Sequence, residues 1–328
     1  MPTKTFNPGV YGGCRALVTG ASGFIGRWVA RALSAAGTRL WLVTRSAPPA
    51  DCEVYGICGE WLAADLSEPG VFAQLYRQVE PDVVFNLAGY GVDPAERSEG
   101  LADALNARLP GEIGEAVAAG HESGWTGLRV VHIGSAAEYG PVEGSLTETS
   151  STSPTTLYGR TKLEGTRALE RVGKRTGLRA ITARLFTVYG PGEHAGRLLP
   201  SLLSTARSSA ALPLTEGEQQ RDFTYVGDVA EGLLRLGALP GAEASVVNLA
   251  TGTLTSVRAF AESAAELLGL PPGQLQFGAL PSRPDEVRQG PVDTALLRRL
   301  LDWVPPSSVR EGIQQTINFE VRLSRVRT

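Results

Sequence analysis

The amino-acid sequence predicts an α/β fold in which a doubly wound parallel sheet is joined to a smaller, interleaved C-terminal domain. Three observations lead to this prediction. In the first half of the chain, short apolar runs alternate with amphipathic helical stretches, as expected when helices cover both faces of a parallel sheet. A glycine-rich turn follows the first apolar run. Beyond residue 186 the pattern changes to turn residues and shorter helical stretches.

The elements of the large sheet follow in chain order. A strand at Arg15–Thr19 precedes a helix over residues 24–36, in which apolar residues recur on one face. Further apolar runs predict strands at Arg39–Thr44, 82–87 and 128–134, with helical stretches between them. Each strand is short and nearly continuously apolar, which is typical of strands that are buried on both faces.

Composition excludes several classes of protein. The 328 residues carry a net charge of −3, so the chain lacks the basic surface that a nucleic-acid backbone requires. No run approaches the roughly 20 apolar residues of a membrane span, and no apolar leader precedes the first strand. The three cysteines fit neither a disulfide framework nor a zinc site. We therefore expect a cytoplasmic, metal-free protein with no nucleic-acid or membrane partner.

The glycine-rich turn has the spacing of a phosphate-binding loop. Gly20, Gly23 and Gly26 lie in VTGASGFIG, between the first strand and the first helix. Glycines at these places permit a tight turn and a close approach of pyrophosphate to the helix N-terminus. An ordinary turn is the alternative, but the position between strand and helix favours dinucleotide binding. The predicted contacts from this loop are Gly20, Ser22, Gly23, Phe24, Ile25 and Gly26.

The end of the second strand indicates which dinucleotide binds. NAD enzymes usually place an acid there for the ribose hydroxyls, whereas this chain has Arg45. A planar guanidinium suits a 2′-phosphate, so NADP is favoured over NAD, the alternative being an arginine that is merely exposed. Two further stretches, each following a strand, are predicted to contact the adenine and to line the path to the nicotinamide. They are Asp65 with Leu66, and Leu87 with Ala88 and Gly89.

A catalytic group is predicted from three residues. Tyr158 and Lys162 stand at i and i+4 of a helical stretch, so they share one helix face. A nearby ammonium stabilises a phenolate and should lower the tyrosine pKa towards neutrality. Ser135 closes the fifth strand, where its hydroxyl could bind the substrate oxygen that the tyrosine protonates. The alternative for the pair is a half-buried tyrosine beside a solvated lysine.

With these residues, the chain resembles the extended short-chain dehydrogenase/reductases. The similarity rests on TGASGFIG, Ser135 in HIGSAAEYG, YGRTK, ARLFTVYGPG and RDFTYVGDVA, which appear in the expected order along nearly the whole chain. That family includes nucleotide-sugar 4-epimerases, 4,6-dehydratases and 4-ketoreductases. The resemblance implies that Tyr158 is the acid/base, that Lys162 holds the nicotinamide ribose, and that Ser135 orients the substrate. It also implies a homodimer.

The resemblance suggests contacts to a nucleotide-diphosphate sugar in the second half. Arg221 and Arg283 occupy places where similar enzymes bind the diphosphate, and arginine–phosphate contacts supply both charge and orientation. The alternative is a pair of structural ion pairs with Asp222 and Asp285. Leu199 resembles the residue that packs on the nucleotide base.

The domain division follows from the same pattern. Residues 1–186 are predicted to form a Rossmann domain that binds the dinucleotide. Residues 225–255 should join it, because 245–249 is strand-like. Residues 187–224 and 256–328 are predicted to form the smaller domain, which binds the substrate.

Departures from the family pattern narrow the reaction. Ala136 and Ala137 stand where dehydratases have acids, and Glu138 should point the other way from a strand end. Thr187 replaces the asparagine that epimerases place against the substrate. We therefore expect an NADP-dependent reductase of a 4-keto-6-deoxyhexose carried on a nucleotide diphosphate. A nucleotide-sugar 4-epimerase is the first alternative, and a catalytically silent dinucleotide sensor is the second.

Overall fold

A seven-stranded parallel sheet forms the centre of the protein in the computed structural model, which describes residues 6–93, 95–142, 144–208, 210–281 and 289–327. The twelve strands are β1 (Arg15–Thr19), β2 (Arg39–Thr44), β3 (Glu60–Ala63), β4 (Val83–Asn86), β5 (Val130–Ser135), β6 (Ala180–Leu185), β7 (Thr187–Tyr189), β8 (Leu212–Pro213), β9 (Gln220–Tyr225), β10 (Val246–Leu249), β11 (Leu254–Ser256) and β12 (Leu275–Gln276). The large sheet has the order β10-β6-β5-β4-β1-β2-β3.

Helices connect these strands and cover both faces of the sheet. They are α1 (Phe24–Ala35), α2 (Cys52–Tyr55), α3 (Val71–Val79), α4 (Glu99–Ala102), α5 (Leu109–Ala118), α6 (Leu157–Thr176), α7 (Leu198–Thr205), α8 (Val226–Gly237), α9 (Val257–Leu268), α10 (Ala295–Leu301) and α11 (Val309–Arg327). A π-helical segment, Asp103–Arg108, joins α4 to α5. In the described part of the chain, no helix is long and apolar enough to cross a bilayer.

Most of the sheet is buried on both faces, so its central strands are largely apolar. One cluster packs α1 and α8 against the sheet through residues such as Leu33 and Leu233. A second cluster, with Phe72 and Ile113, fills the opposite face beneath α3 and α5. This arrangement confirms the prediction of a doubly wound α/β sheet. The strand order reverses between β1 and β4, and such a reversal opens a crevice at the carboxyl ends of the strands.

A smaller cap lies beyond β6. It contains a three-stranded sheet of order β11-β9-β7 and a pair formed by β12 and β8. Its core includes Phe223 and Phe260, whose rings stack with centroids 4.3 Å apart. Between the cap segments, β10 pairs in parallel with β6, so the chain returns to the large sheet where residues 245–249 had been predicted as a strand. The domain boundaries themselves stay a prediction.

A buried ion pair joins the ends of β5 and β6. The carboxylate of Glu138 accepts a hydrogen bond from Arg184 Nε at 2.8 Å, and both side chains are almost inaccessible, at 0% and 4% exposure. The same carboxylate accepts bonds from the Ser135 backbone N–H at 2.8 Å and from Thr166 Oγ1 at 3.1 Å. The Arg184 guanidinium lies 4.4 Å from the centroid of the Tyr139 ring. This network therefore ties the end of β5 to β6 and α6.

We predict that Arg184→Met strongly destabilises the fold, because it leaves the Glu138 charge buried without its partner. Removing one partner of a buried pair typically costs about 3–5 kcal/mol in the free energy of unfolding. The matched control is Arg175→Met, which breaks the pair with Glu115 at 61% and 55% exposure and should cost less than about 1 kcal/mol. Urea unfolding followed by circular dichroism gives both values. Similar losses in the two variants would contradict the role assigned to the buried pair.

Candidate active site

The three residues predicted to be catalytic meet at the carboxyl edge of the sheet. Ser135 is the last residue of β5, while Tyr158 and Lys162 lie one turn apart near the start of α6. Thr156 caps this helix by accepting a hydrogen bond from the Gly159 backbone N–H at 3.0 Å, which places the helix start beside the end of β5. The Ser135 hydroxyl lies beside Tyr158 and accepts a hydrogen bond from the Ala137 backbone N–H at 3.1 Å.

Burial sets the protonation of this group. It raises the pKa of Tyr158 to about 12, against the opposing effect of the nearby Ser135 hydroxyl. Burial also lowers the pKa of Lys162 to about 8, although Glu138 favours its charge. The sequence predicts that Lys162 lowers the pKa of Tyr158; in this structure burial outweighs any such effect, and the Lys162 ammonium donates to the Ile133 carbonyl at 2.6 Å. Tyr158 is therefore a neutral phenol, the form that donates a proton.

A cavity of about 290 Å³ lies over the N-terminus of α1 and reaches the catalytic group. Nearly all residues predicted to bind the cofactor line it, namely Gly20, Ser22, Gly23, Phe24, Ile25, Gly26, Arg45, Leu66, Leu87, Ala88, Gly89, Tyr158 and Lys162. Asp65 is the exception. Its carboxylate accepts hydrogen bonds from the Ser67 backbone N–H and hydroxyl at 2.9 and 2.6 Å, and so stabilises the turn after β3.

The shape of the loop before α1 fits a dinucleotide. Gly20 has a φ of +63°, and a Cβ there would lie 2.7 Å from the backbone of Leu87 and Ala88. A Cβ at Gly26 would lie 2.0 Å from the Gly20 carbonyl oxygen. The residue before the helix is Gly23, and it offers no side chain to cap the first-turn amides. Those amides and the helix dipole can therefore face a pyrophosphate.

A second cavity, of about 240 Å³, opens at Ser135 on the side of β5 and β6. Its lining includes Ala136, Ala137, Leu146 and Phe186, so it is largely apolar beside the Ser135 hydroxyl. Glu138 is absent from this lining, because its carboxylate is turned into the protein to pair with Arg184. The orientation is the one predicted, but its reason differs, because Ala136–Glu138 forms a short 3-10 helix in which Glu138 bonds back to the Ser135 backbone N–H.

A third and larger cavity, of about 760 Å³, lies between the cap and the loop after β4. Leu199, Thr187 and Arg221, all predicted to bind substrate, line it. Thr187 and Arg221 also line the cavity at Ser135, so the two spaces adjoin. Arg283, the other predicted diphosphate ligand, lies outside the described residues.

Several residues that line these cavities were not predicted from the sequence. Arg97, Glu193 and Arg197 face the large cavity, while Val92 and His194 line both it and the cofactor cavity. All of them lie in irregular segments after β4 and β7. The one local signal was the spacing of Glu193 and Arg197, which form an i, i+4 ion pair. Their position at the same cavities depends on how the cap packs against the large sheet.

Comparisons with known proteins agree with this geometry. Residues 16–250 match the model of the NAD dependent epimerase/dehydratase family. The dTDP-6-deoxy-L-talose 4-dehydrogenase (NAD(P)(+)) of Kitasatospora kifunensis is 29% identical over 313 residues, covering 92% of this chain and 94% of that protein. The dTDP-L-rhamnose 4-epimerase of Burkholderia thailandensis is 25% identical over 347 residues, with 94% and 95% coverage. These relatives are enzymes, which speaks against the silent sensor.

A solved structure is similar over nearly the same length. MoeE5 in complex with UDP-glucose and NAD is 28% identical, with a TM-score of 0.81, and the match covers 94% of this chain and 99% of that one. The family model matches well over half of the chain, in agreement with the motifs that resemble the extended short-chain dehydrogenase/reductases. The protein is therefore an enzyme of the NAD-dependent epimerase/dehydratase family.

Proposed function

We propose that the protein reduces the 4-keto group of a 6-deoxyhexose carried on a nucleotide diphosphate, with NADPH as the reductant. The observation that carries this proposal is the meeting of Ser135, neutral Tyr158 and Lys162 at the cofactor cavity and the apolar cavity beside it. A reductase must deliver a proton to the ketone oxygen, and a tyrosine that keeps its proton is suited to that task.

The residues that would hold the cofactor are those lining the cavity at α1. First-turn amides of α1 would face the pyrophosphate, Lys162 the nicotinamide ribose, and Arg45 a 2′-phosphate. When bound, the nicotinamide supplies the hydride that goes to the sugar carbon. The described lining of this cavity has Arg45, and no carboxylate, at the end of β2, which supports NADP over NAD.

Tyr158 and Ser135 would carry out the proton transfer to the substrate oxygen. As the ketone carbon gains a hydride, its oxygen becomes an alkoxide and takes the phenolic proton of Tyr158. The Ser135 hydroxyl would hold that oxygen in line, because it lies beside Tyr158 and lines the adjoining cavity. The Lys162 ammonium would stabilise the Tyr158 phenolate that remains, until a proton from solvent restores the phenol.

The apolar cavity supports a deoxysugar. Leu146, Val142 and Phe186 offer contacts to a methyl group, and no carboxylate lines the described part of this cavity to promote loss of water. The K. kifunensis relative is named as a 4-dehydrogenase of a dTDP-linked 6-deoxyhexose, the reverse of the reaction proposed here. Arg221 and Arg283 are proposed to bind the diphosphate, Leu199 the base and Thr187 the sugar. A homodimer stays a prediction from the resemblance.

A 4-epimerase is the second candidate. The B. thailandensis relative carries that name and matches nearly the whole chain. Epimerisation begins by removing a proton from a hydroxyl, which requires an ionised Tyr158. An epimerase must also retain its cofactor through each cycle, whereas Arg45 in place of a ribose-binding acid favours an exchangeable NADP and so the reductase.

We predict that Tyr158→Phe lowers turnover by about 10²–10⁴-fold, since it removes the proton donor but keeps the ring. NADPH affinity, measured by fluorescence titration, should change little. Tyr90→Phe is the control, because Tyr90 lines none of the three cavities described above. A Tyr158→Phe enzyme with most of its activity would make Tyr158 structural.

Arg45→Ala should narrow the preference for NADPH over NADH, because the guanidinium that faces the 2′-phosphate is lost. The expected change is a roughly 10-fold or greater loss of NADPH affinity, with NADH affinity nearly unchanged. Arg77→Ala, on the exposed side of α3, serves as the control for general effects of charge. Equal or tighter binding of NADH by the unaltered protein contradicts the cofactor assignment.

The fate of the hydride separates reductase from epimerase. With a nucleotide-linked 4-keto-6-deoxyhexose, NADPH absorbance should fall in proportion to product, and deuterium from 4-labelled NADPH should appear at sugar C4. The Lys162→Ala variant should lose both signals. Interconversion of two hydroxysugars without net cofactor change or label transfer would replace the reductase with the epimerase.

A further inference from the structure

The segment between β7 and α7, residues 190–197, forms one wall of the 760 Å³ cavity. Side chains of α1 hold its first part in place. Trp28 Nε1 donates to the Pro191 carbonyl at 2.9 Å, and the Arg27 guanidinium donates to the Gly192 carbonyl at 3.2 Å. The backbone is thereby anchored before the chain reaches Glu193, so the charged side chains that follow face the cavity from a fixed base.

Glu193 and Arg197 form an unequal ion pair in this wall. Arg197 Nε donates to Glu193 Oε1 at 3.3 Å, a long and single contact. The carboxylate is 7% exposed and the guanidinium 45% exposed. Glu193 Oε2 is buried and has no hydrogen-bond partner among the described residues. Glu193 is thus a buried acid whose charge depends on one half-exposed arginine.

Arg197 lines the cavity in which the proposed function places the nucleotide diphosphate. It lines the large cavity together with Arg221, which also lines the cavity at Ser135. Its positive charge lies near enough to Tyr158 to favour the phenolate of that residue. A diphosphate carries two negative charges and can accept bidentate hydrogen bonds, so it competes well against a carboxylate held by one long bond.

We propose that Arg197 is a further ligand of the substrate diphosphate. Glu193 pairs with the Arg197 guanidinium until the incoming diphosphate displaces the Glu193 carboxylate. This inference rests on the proposed function, which supplies the nucleotide diphosphate. No covalent bond changes in the exchange: one ion pair is broken and another is formed. Glu193 stays behind in the wall of the cavity without the cation that kept it charged.

The exchange has a consequence for protons. Burial raises the pKa of Glu193 to about 7 even while Arg197 and the Gly190 backbone favour its charged form. Loss of Arg197 to the diphosphate raises that pKa further, so Glu193 takes a proton from solvent. The pKa is then higher in the complex than in the unliganded protein. Affinity is therefore greatest below pH 7 and falls as the pH rises above 7.

Other charged groups face the same cavity, and their effect on proton uptake must be distinguished from that of Glu193. Asp93 and Arg97 approach from the loop after β4, and Arg221 from β9. His194 lies beside Glu193, and a histidine can exchange protons in the same pH range. His194→Gln is therefore the control variant.

The test is calorimetric titration of the NADPH-loaded protein with UDP-glucose, dTDP-glucose and GDP-mannose, none of which has a ketone to reduce. Titrations at pH 7.5 in phosphate and in Tris, whose ionisation enthalpies differ, report proton uptake. We expect uptake of roughly half a proton per site, retained in His194→Gln and absent in Glu193→Gln. At pH 8.5, Glu193→Gln should bind about 3- to 10-fold more tightly than the unaltered protein, because the competing anion is gone.

Arg197→Met should weaken binding about 10-fold or more and abolish the uptake. Binding with the same enthalpy in both buffers, or uptake that survives Glu193→Gln, would overturn the exchange and leave the proposed function intact. A folded protein that binds none of the three nucleotide sugars overturns the proposed function, and the exchange with it. The pH dependence of the unaltered protein alone tests the exchange should a variant fail to fold.

Discussion

The buried carboxylate of Glu138 holds together the edge of the sheet on which the candidate site depends. It accepts hydrogen bonds from the Ser135 backbone, Thr166 and Arg184, while the hydroxyl of neighbouring Tyr139 donates to Asn248 at 2.6 Å. A charge in so dry a place is tolerated only when every partner is present, because the cost of an unpaired ion far exceeds any single bond. The positions of β5, β6, β10 and α6 are thus set together, and with them the distance between Ser135 and Tyr158.

The same use of Glu138 supports the proposal of a reductase over a dehydratase. The residue is acidic and close in sequence to Ser135, yet it serves the fold, and Ala136 and Ala137 line the 240 Å³ cavity instead. An acidic residue in the short segment after β5 can therefore serve either the fold or the chemistry. In this chain the acid stabilises the interior, and the cavity beside it is left apolar.

Burial also decides the protonation states on which the chemistry rests. Tyr158 keeps its proton, and the Lys162 ammonium loses its proton more readily than in water. Both effects arise because the charged forms lose solvent beside the cofactor cavity. In the wall of the 760 Å³ cavity, burial raises the pKa of Glu193 to about 7, and Arg197 favours the charged form of this carboxylate. The proposed proton donation by Tyr158 and the proposed exchange at Arg197 thus share one cause, the removal of water from charged groups around the site.

The sequence by itself determined the elements and much of the site, because these depend on local pattern. Apolar runs and helical periodicity specified the strands and helices, and the glycine spacing located the dinucleotide loop with its residues from Gly20 to Gly26. Tertiary structure alone decided the rest. Asp65 bonds to its own turn, burial raises the pKa of Tyr158, and Glu193 with Arg197 lines the 760 Å³ cavity. Burial and charge depend on which distant segments come together, and no local pattern records that.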